Sequence, residues 1–180
     1  MSDAQLLDIA AHEAGHAVIA IILGFLGGRV TIKPTTDTLG TAEHFPVLFM
    51  PRRRYRPNAK SLARAGILVS LAGPIAALDL RDVPIDDSCN GDVKNAYAEA
   101  KAAGIEHEVK RLITYTHHLV HRHREKIARV AYELVERKSG TMSAHMVHRL
   151  TFHSKAEFRR MRRRLLAVRH KLAVSPRQPK

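Results

Sequence analysis

Apolar residues fill nearly every turn of the segment that follows Ser2, both before and after a pair of histidines. Ser2 or Asp3 can cap a helix there, because a short polar side chain accepts hydrogen bonds from the first free backbone N–H groups. Since the apolar positions surround this helix instead of forming one stripe, the pattern predicts a buried helix. Gly24 and the Gly27-Gly28 pair are expected to end it.

Two short segments with the alternation of β-strands come next. Residues 29–33 alternate between polar and apolar, residues 34–38 are typical of a turn, and residues 39–45 form a second strand-like segment. The pattern predicts a small β-hairpin beside the first helix. Its outer edge could accept an extended peptide as an additional strand, or the hairpin could serve only as a lid on the core.

Helical patterns dominate the remainder of the chain. They cover residues 59–80, with Asn58 as the cap and a kink or break at Pro74, residues 92–103, which Gly104 ends, and residues 106–138, which Gly140 ends. Thr141 or Ser143 is expected to cap a short helix that runs to residue 150. These elements predict one mainly α domain over residues 1–150, joined to a basic, Arg-rich helix and tail over residues 151–180.

Composition narrows the class of protein. With Cys89 as its single cysteine, the chain cannot form an internal disulfide, which favours a reducing compartment and predicts a cytoplasmic protein. The longest apolar run, Ala17 to Leu26, is shorter than the ~20 residues that a membrane-spanning helix needs, so no span is expected. A net charge of +13 favours acidic partners, such as nucleic acid, without selecting one.

One motif in the first helix carries chemistry. His12 and His16 are four residues apart, so their rings lie on the same face of a helix and can reach one metal ion. Zinc binds neutral imidazole, and a catalytic zinc keeps one position open for water, so one further protein ligand is expected. Glu13 lies beside that face, where it can act as the general base on the water. Gly15, in mid-helix, indicates that something approaches the helix closely there.

Spacing alone does not identify the third ligand. Carboxylates on a later helix are common zinc ligands, which favours Asp92 and Glu99 modestly. The other candidates lie in the acidic loop that precedes Asp92 and at the start of the next predicted helix. They are Asp86, Asp87, Cys89, His107 and Glu108.

Five segments, in order along the chain, resemble the peptidase domain of the FtsH-type ATP-dependent zinc metalloproteases. They are His12 to Ala17, Val30 to Pro34 followed by Leu39-Gly40, Leu71 to Ala76, Gly91 to Val93 with Ala96 and Ala100, and Arg124 to Ser143 in part. This resemblance covers residues 3–150 and implies a helical zinc metallopeptidase domain with a small β-hairpin. It implies that His12, His16 and Asp92 bind Zn²⁺, that Glu13 is the general base, and that substrate lies along Leu39, Gly40 and Thr41.

The resemblance also defines where this chain differs from the family. Pro74 stands where the family often has Arg, and Ala77 replaces a common carboxylate, so the support of the metal ligands is expected to differ. We expect a stand-alone domain without the family's ATPase module, since no phosphate-binding Gly-rich loop occurs in these 180 residues, and this predicts hydrolysis of flexible or unfolded polypeptides without ATP. The rings of six that the family forms make a homo-oligomer one expectation.

Other histidines of the chain have both a functional and an ordinary structural interpretation. His44 could steady an oxyanion or simply belong to its strand. The cluster His117, His118, His121 and His123 could bind a second metal, although exposed histidines on a long polar helix explain it better. The alternatives to a peptidase are a non-catalytic zinc-binding relative that binds peptides and a basic, DNA-associated regulatory protein whose C-terminus contacts nucleic acid or an acidic partner.

Overall fold

The computed structural model describes residues 2–34, 38–45, 58–81 and 90–152. Within these ranges the chain is mainly helical with one small antiparallel sheet, which confirms the predicted class at that level. The helices are α1 (Asp3–Ile22), α2 (Ala59–Arg81), α3 (Asn90–Ala102), α4 (Val109–Glu136) and α5 (Ala144–Phe152), with a 3-10 turn at Glu106–Glu108. The strands are β1 (Leu26–Thr31), β2 (Thr41–Phe45) and β3 (Thr141–Met142).

Helix α1 begins at the predicted cap. The backbone N–H of Gln5 donates to Ser2 Oγ at 3.3 Å, and the N–H of Ser2 donates to Gln5 Oε1 at 2.9 Å, so each residue caps the other. The helix ends just before Gly24, whose φ of +89° suits glycine. The expectation that Gly27 and Gly28 end the helix is wrong, because both residues lie in β1. A Cβ at Gly28 would stand 2.5 Å from Glu43 Cβ, so the strand needs glycine there for packing.

The predicted hairpin is present, and a third strand joins it. β1 pairs with β2 in an antiparallel register that sets Val30 opposite Ala42. On its other side β1 pairs with β3, and the hydroxyls of Thr31 and Thr141 lie 3.0 Å apart. Thr141 therefore belongs to a strand, and Ser143 caps α5 instead, with its Oγ accepting from the N–H of Met146 at 3.4 Å. The sheet order β2-β1-β3 leaves β2 as an edge strand among the described strands.

Helix α1 lies at the centre of the core, packed against α2 and α4. A Cβ at Gly15 would stand 2.5 Å from the Ala72 oxygen and 2.6 Å from Ala76 Cβ. This close crossing with α2 confirms that Gly15 admits a neighbouring element. Helix α2 runs without interruption through Pro74, so of the predicted kink or break, the break is wrong. Buried contacts on both sides of Pro74 hold the helix together despite the missing backbone donor.

Helix α2 is also long and apolar enough, by length and composition, to cross a membrane. Its most apolar window is 61% buried inside the protein, as a core helix of a folded domain would be. Three stretches of the sequence lie wholly or largely outside the described residues: the basic residues 50–57, the acidic loop with Asp86, Asp87 and Cys89, and the predicted Arg-rich helix and tail. Helix α5 itself extends to Phe152, two residues beyond the predicted boundary.

Candidate metal centre

The two histidines of α1 meet on one face of the helix, as their spacing predicts. His12 Nε2 and His16 Nε2 lie 3.0 Å apart, with the ring planes inclined by 76°. The His16 side chain is 10% exposed and that of His12 is 19% exposed. Both rings therefore direct a nitrogen to the same point at the edge of the core.

Asp92, in the first turn of α3, completes the group. Its Oδ2 lies 2.9 Å from His12 Nε2 and 3.3 Å from His16 Nε2. Ligands held at roughly 2.0–2.1 Å around a tetrahedral zinc ion are separated by about 3.3 Å, so this triangle is close to the size that such an ion requires. No other group of at least three ligand side chains comes as close together within the described ranges, and this one could hold a metal ion.

The orientation of His16 depends on a backbone carbonyl of α2. His16 Nδ1 lies 2.8 Å from the oxygen of Val69, and a carbonyl oxygen can only accept, so Nδ1 carries the hydrogen. In the neutral ring, Nε2 then keeps its lone pair, which is the form that binds a metal. This hydrogen bond supports the His16 ring. The support was expected to differ from that in the family because of Pro74 and Ala77.

Gly73 makes room for the same ring. A Cβ built on Gly73 would overlap His16 Nε2 and would stand 2.7 Å from His16 Cδ2. No side chain can occupy this position without moving His16. The close crossing at Gly15 and the contact at Gly73 together place α2 directly beneath the histidine.

The charges of the three residues favour a bound cation. Burial lowers the pKa of His12, so this ring is neutral near pH 7. Burial alone would raise the pKa of Asp92, but hydrogen bonds from His12 and His16 outweigh it and hold that pKa well below its ordinary value. Burial opposes a charge on His16 as well, yet its contacts with Asp92 and Glu13 raise the pKa of that ring. A metal ion therefore competes with one proton at this group.

Glu13 lies next to the three ligands and is almost fully buried, with 7% of its surface exposed. Burial raises its pKa to about 7, while the charge of His16 lowers it and that of Asp92 raises it further. These interactions place the carboxyl within electrostatic reach of His16 and Asp92. With a pKa of about 7, the Glu13 carboxyl can gain or lose a proton near neutral pH.

The predicted substrate residues lie beside Glu13 at the start of β2. A Cβ at Gly40 would stand 2.8 Å from Glu13 Oε1, so the Gly40 backbone packs directly on the carboxylate. Leu39 is 57% exposed, and the hydroxyl of Thr41 donates to the Gly40 oxygen at 2.7 Å. The structure thus brings Gly40 to the site, with Leu39 on the adjoining surface and Thr41 beginning the edge strand.

His44 has the geometry of an ordinary strand residue. Its Nδ1 lies 3.2 Å from the Ala42 oxygen, so Nδ1 carries the hydrogen, and its ring meets that of Phe25 edge-on at 5.8 Å. Burial lowers the pKa of His44, and the neutral ring then offers only an acceptor at Nε2. An acceptor cannot stabilise an oxyanion, which favours the structural interpretation.

The remaining candidates for the third ligand have other contacts. Arg64 Nε and Nη2 donate to the two carboxylate oxygens of Glu108 at 2.7 and 2.6 Å. His107 is 79% exposed and lies beside Glu108. Glu99 packs against α2, where a Cβ at Gly66 would overlap its carboxylate. Of the candidates within the described ranges, Asp92 alone joins the two histidines.

Glu99 provides a prediction about stability. Burial raises the pKa of Glu99 in the folded protein above its ordinary value of 4.5. A carboxyl whose pKa is raised in the folded state destabilises the fold when it ionises. This loss of stability is absent in acid and grows as the pH rises above 4.5. We expect Glu99→Gln to increase the free energy of unfolding at about pH 7 but not at about pH 3.5, in urea titrations at both pH values. An equal effect at both pH values would contradict it.

The second histidine cluster does not form a metal site among the described residues. His121 Nδ1 lies 3.5 Å from Asp79 Oδ1, and Arg124 Nε lies 3.0 Å from Asp79 Oδ2. His117 and His118 are exposed on α4. The cluster therefore fits the expectation of a solvent-facing helix surface.

Comparison with known proteins adds no assignment. No model of a known protein family matches the chain, and no curated protein is similar enough to count as a match. The interpretation of the site therefore depends on its geometry and on the residues themselves.

Two groups at the site were not predicted from the sequence. One is the carbonyl of Val69, 53 residues from the ring that it contacts, and a backbone group leaves no sequence signal. The other is Gly73, whose place inside a helical pattern was a usable signal, because a mid-helix glycine often marks a close approach.

Proposed function

We propose that the chain is a zinc endopeptidase of FtsH type that hydrolyses flexible or unfolded polypeptides without ATP. The observation that carries this proposal is the convergence of His12 Nε2, His16 Nε2 and Asp92 Oδ2 within 3.3 Å of one another, with Glu13 beside them. The ordered resemblance to the FtsH-type peptidase domain supports the same conclusion independently of the geometry.

His12, His16 and Asp92 are the residues that would hold the zinc. Bound zinc would polarise the scissile carbonyl and make water acidic enough to lose a proton near neutral pH. Glu13 would accept a proton from water and pass it to the leaving amine, a role that suits a carboxyl whose pKa is raised to about 7. Val69 keeps His16 in the correct tautomer, and Asp92 provides the negative charge that two neutral imidazoles lack.

The substrate is an extended segment of polypeptide. β2 has a free edge in the described sheet and begins next to Gly40, which contacts Glu13. A peptide that adds to this edge as a strand would run past the carboxylate. Main-chain pairing of this kind requires an unfolded segment and reads few side chains, which suits broad specificity for flexible polypeptides.

Metal analysis of protein purified without an affinity tag tests the site directly. We expect one zinc per chain, and loss of that zinc in Asp92→Ala, because two imidazoles alone bind zinc far more weakly than three ligands do. The matched control is Asp3→Ala, an exposed aspartate in the first turn of α1. Zinc retained by the Asp92 variant at the level of the control would refute the proposed ligand set.

A second candidate is a zinc-binding relative that binds peptides without cleaving them. The observation in its favour is the 7% exposure of Glu13 beneath Gly40, which restricts the space available to water and substrate. This candidate predicts that Glu13→Gln leaves function unchanged, whereas the peptidase proposal predicts loss of hydrolysis.

A further inference from the structure

A depression of about 410 Å³ lies on α5, and its lining residues do not include His12, His16 or Asp92. Its lining residues are His145, His148, Arg149 and Phe152. Two of these side chains are imidazoles, one is a guanidinium, and the fourth is an aromatic ring. Helix α5 contains no Asp or Glu, so no negative charge on that helix offsets the arginine.

An exposed aromatic ring forms one side of the depression. Phe152 is 56% exposed although it is large and apolar, so burial in the core does not explain it. The His148 ring lies 4.7 Å from the Phe152 ring, centroid to centroid, at an interplanar angle of 54°. The two rings provide adjacent π surfaces that solvent can reach.

A lysine of α4 lies over this ring. Lys126 Nζ, on α4, lies 5.4 Å from the centroid of Phe152. Lys126 and Arg122 are also close enough to His123 for their charges to help lower the pKa of that imidazole, after burial. Basic side chains therefore extend from the depression along the adjoining turns of α4.

We propose that the depression binds single-stranded nucleic acid, with a base stacked on Phe152 and phosphates near Arg149 and Lys126. Stacking on aromatic side chains and contact of phosphates with basic groups are the two main sources of affinity for single strands. An acidic peptide would use the basic groups, but it has no need of an exposed ring. Beyond Phe152 the chain continues into 28 residues with ten Arg and Lys against one Glu, which favours a polyanion at this end of the molecule.

The proposal is independent of the peptidase function. It also differs from the DNA-associated alternative in where contact is made: that alternative used the Arg-rich residues 151–180 as a whole, whereas here only Phe152 of that range takes part, together with Arg149 and Lys126. The geometry points to a specific stacking platform at the end of α5, which a purely electrostatic tail does not require.

Fluorescence anisotropy with a labelled oligothymidylate of about twenty nucleotides tests the proposal on the full chain. We expect binding that weakens as salt increases, and an affinity about tenfold lower in Phe152→Ala because one stacked base is lost. Phe152→Trp should retain the affinity. Arg149→Gln and Lys126→Gln should each weaken binding and reduce the slope of log affinity against log salt by about 0.7.

Tyr115→Ala is the matched control, because Tyr115 is an aromatic residue on α4 that is 51% exposed and does not line the depression. Absence of binding, or equal affinities for the Phe152→Ala and Tyr115→Ala variants, would overturn the proposal. Competition by polyglutamate as effective as competition by unlabelled oligothymidylate would also overturn it and would identify an acidic protein as the partner.

Discussion

The Glu13→Gln variant is expected to hydrolyse unfolded casein about 10²–10⁴-fold more slowly than the unchanged chain, with the same zinc content. The glutamine amide has nearly the shape of the carboxylate, so it can fill the buried space beside Gly40. It cannot accept a proton from water at neutral pH. The effect should therefore fall on the rate of hydrolysis and leave the three metal ligands in place.

Glu99→Gln is the control for this measurement. It makes the same chemical change at another part-buried carboxyl, one that packs against Gly66 and not against the ligands. We expect the Glu99 variant to hydrolyse casein at the rate of the unchanged chain. If the two variants hydrolyse casein equally fast and both retain zinc, Glu13 is not the general base and the non-catalytic candidate is favoured.

The second large effect concerns Gly73. We expect Gly73→Ala to lose its bound zinc and to be less stable by about 1–3 kcal/mol, because the added methyl group would overlap the His16 ring. The ring would have to rotate out of line with His12 and Asp92, or α2 would have to move away from α1. Zinc content and urea-induced unfolding measure the two consequences separately.

Gly91→Ala is the matched control, because a Cβ at Gly91 meets nothing within 4 Å although the residue adjoins Asp92. Its zinc content should equal that of the unchanged chain. If the Gly73 variant also bound zinc normally, His16 could not occupy the position that the structure assigns to it.

The part of the site on α1 could be predicted from sequence because a single helix determines it. The four-residue interval between His12 and His16 places both rings on one face wherever the helix lies in the fold. Gly15 was recognisable for a similar local reason, since a glycine inside an apolar helix requires an explanation. The neighbour that approaches Gly15, helix α2, became known only from the structure.

Asp92 could not be identified from the local sequence pattern alone. It lies 76 positions after His16, and the acidic loop and the next helix offer several chemically suitable ligands. The family resemblance selected this residue, and the structure places its carboxylate oxygen 2.9 Å from His12 Nε2. Glu99, the other leading candidate, is about two helical turns further along α3, where its carboxylate packs against Gly66 instead.

Three features were beyond sequence reasoning for a common physical cause, which is that tertiary contacts outweigh local preference. A proline inside a helix usually breaks it, but α2 is buried on both sides of Pro74 and continues. β3 has only two residues, too few for a recognisable alternation, and it exists because β1 offers a free edge. The contact between His16 and Val69 depends on how two distant helices cross.

The pairing of β1 with β3 has a consequence for synthesis of the protein. β1 lies in the first 31 residues, but its second neighbour is made more than a hundred residues later. While the ribosome still holds residues 141–142, the early hairpin lacks that neighbour, and one edge of β1 stays unpaired. We therefore expect hydrogen-exchange protection of the β1 amides that face β3 to appear only after residues 141–142 have left the ribosome, later than protection of the amides that face β2.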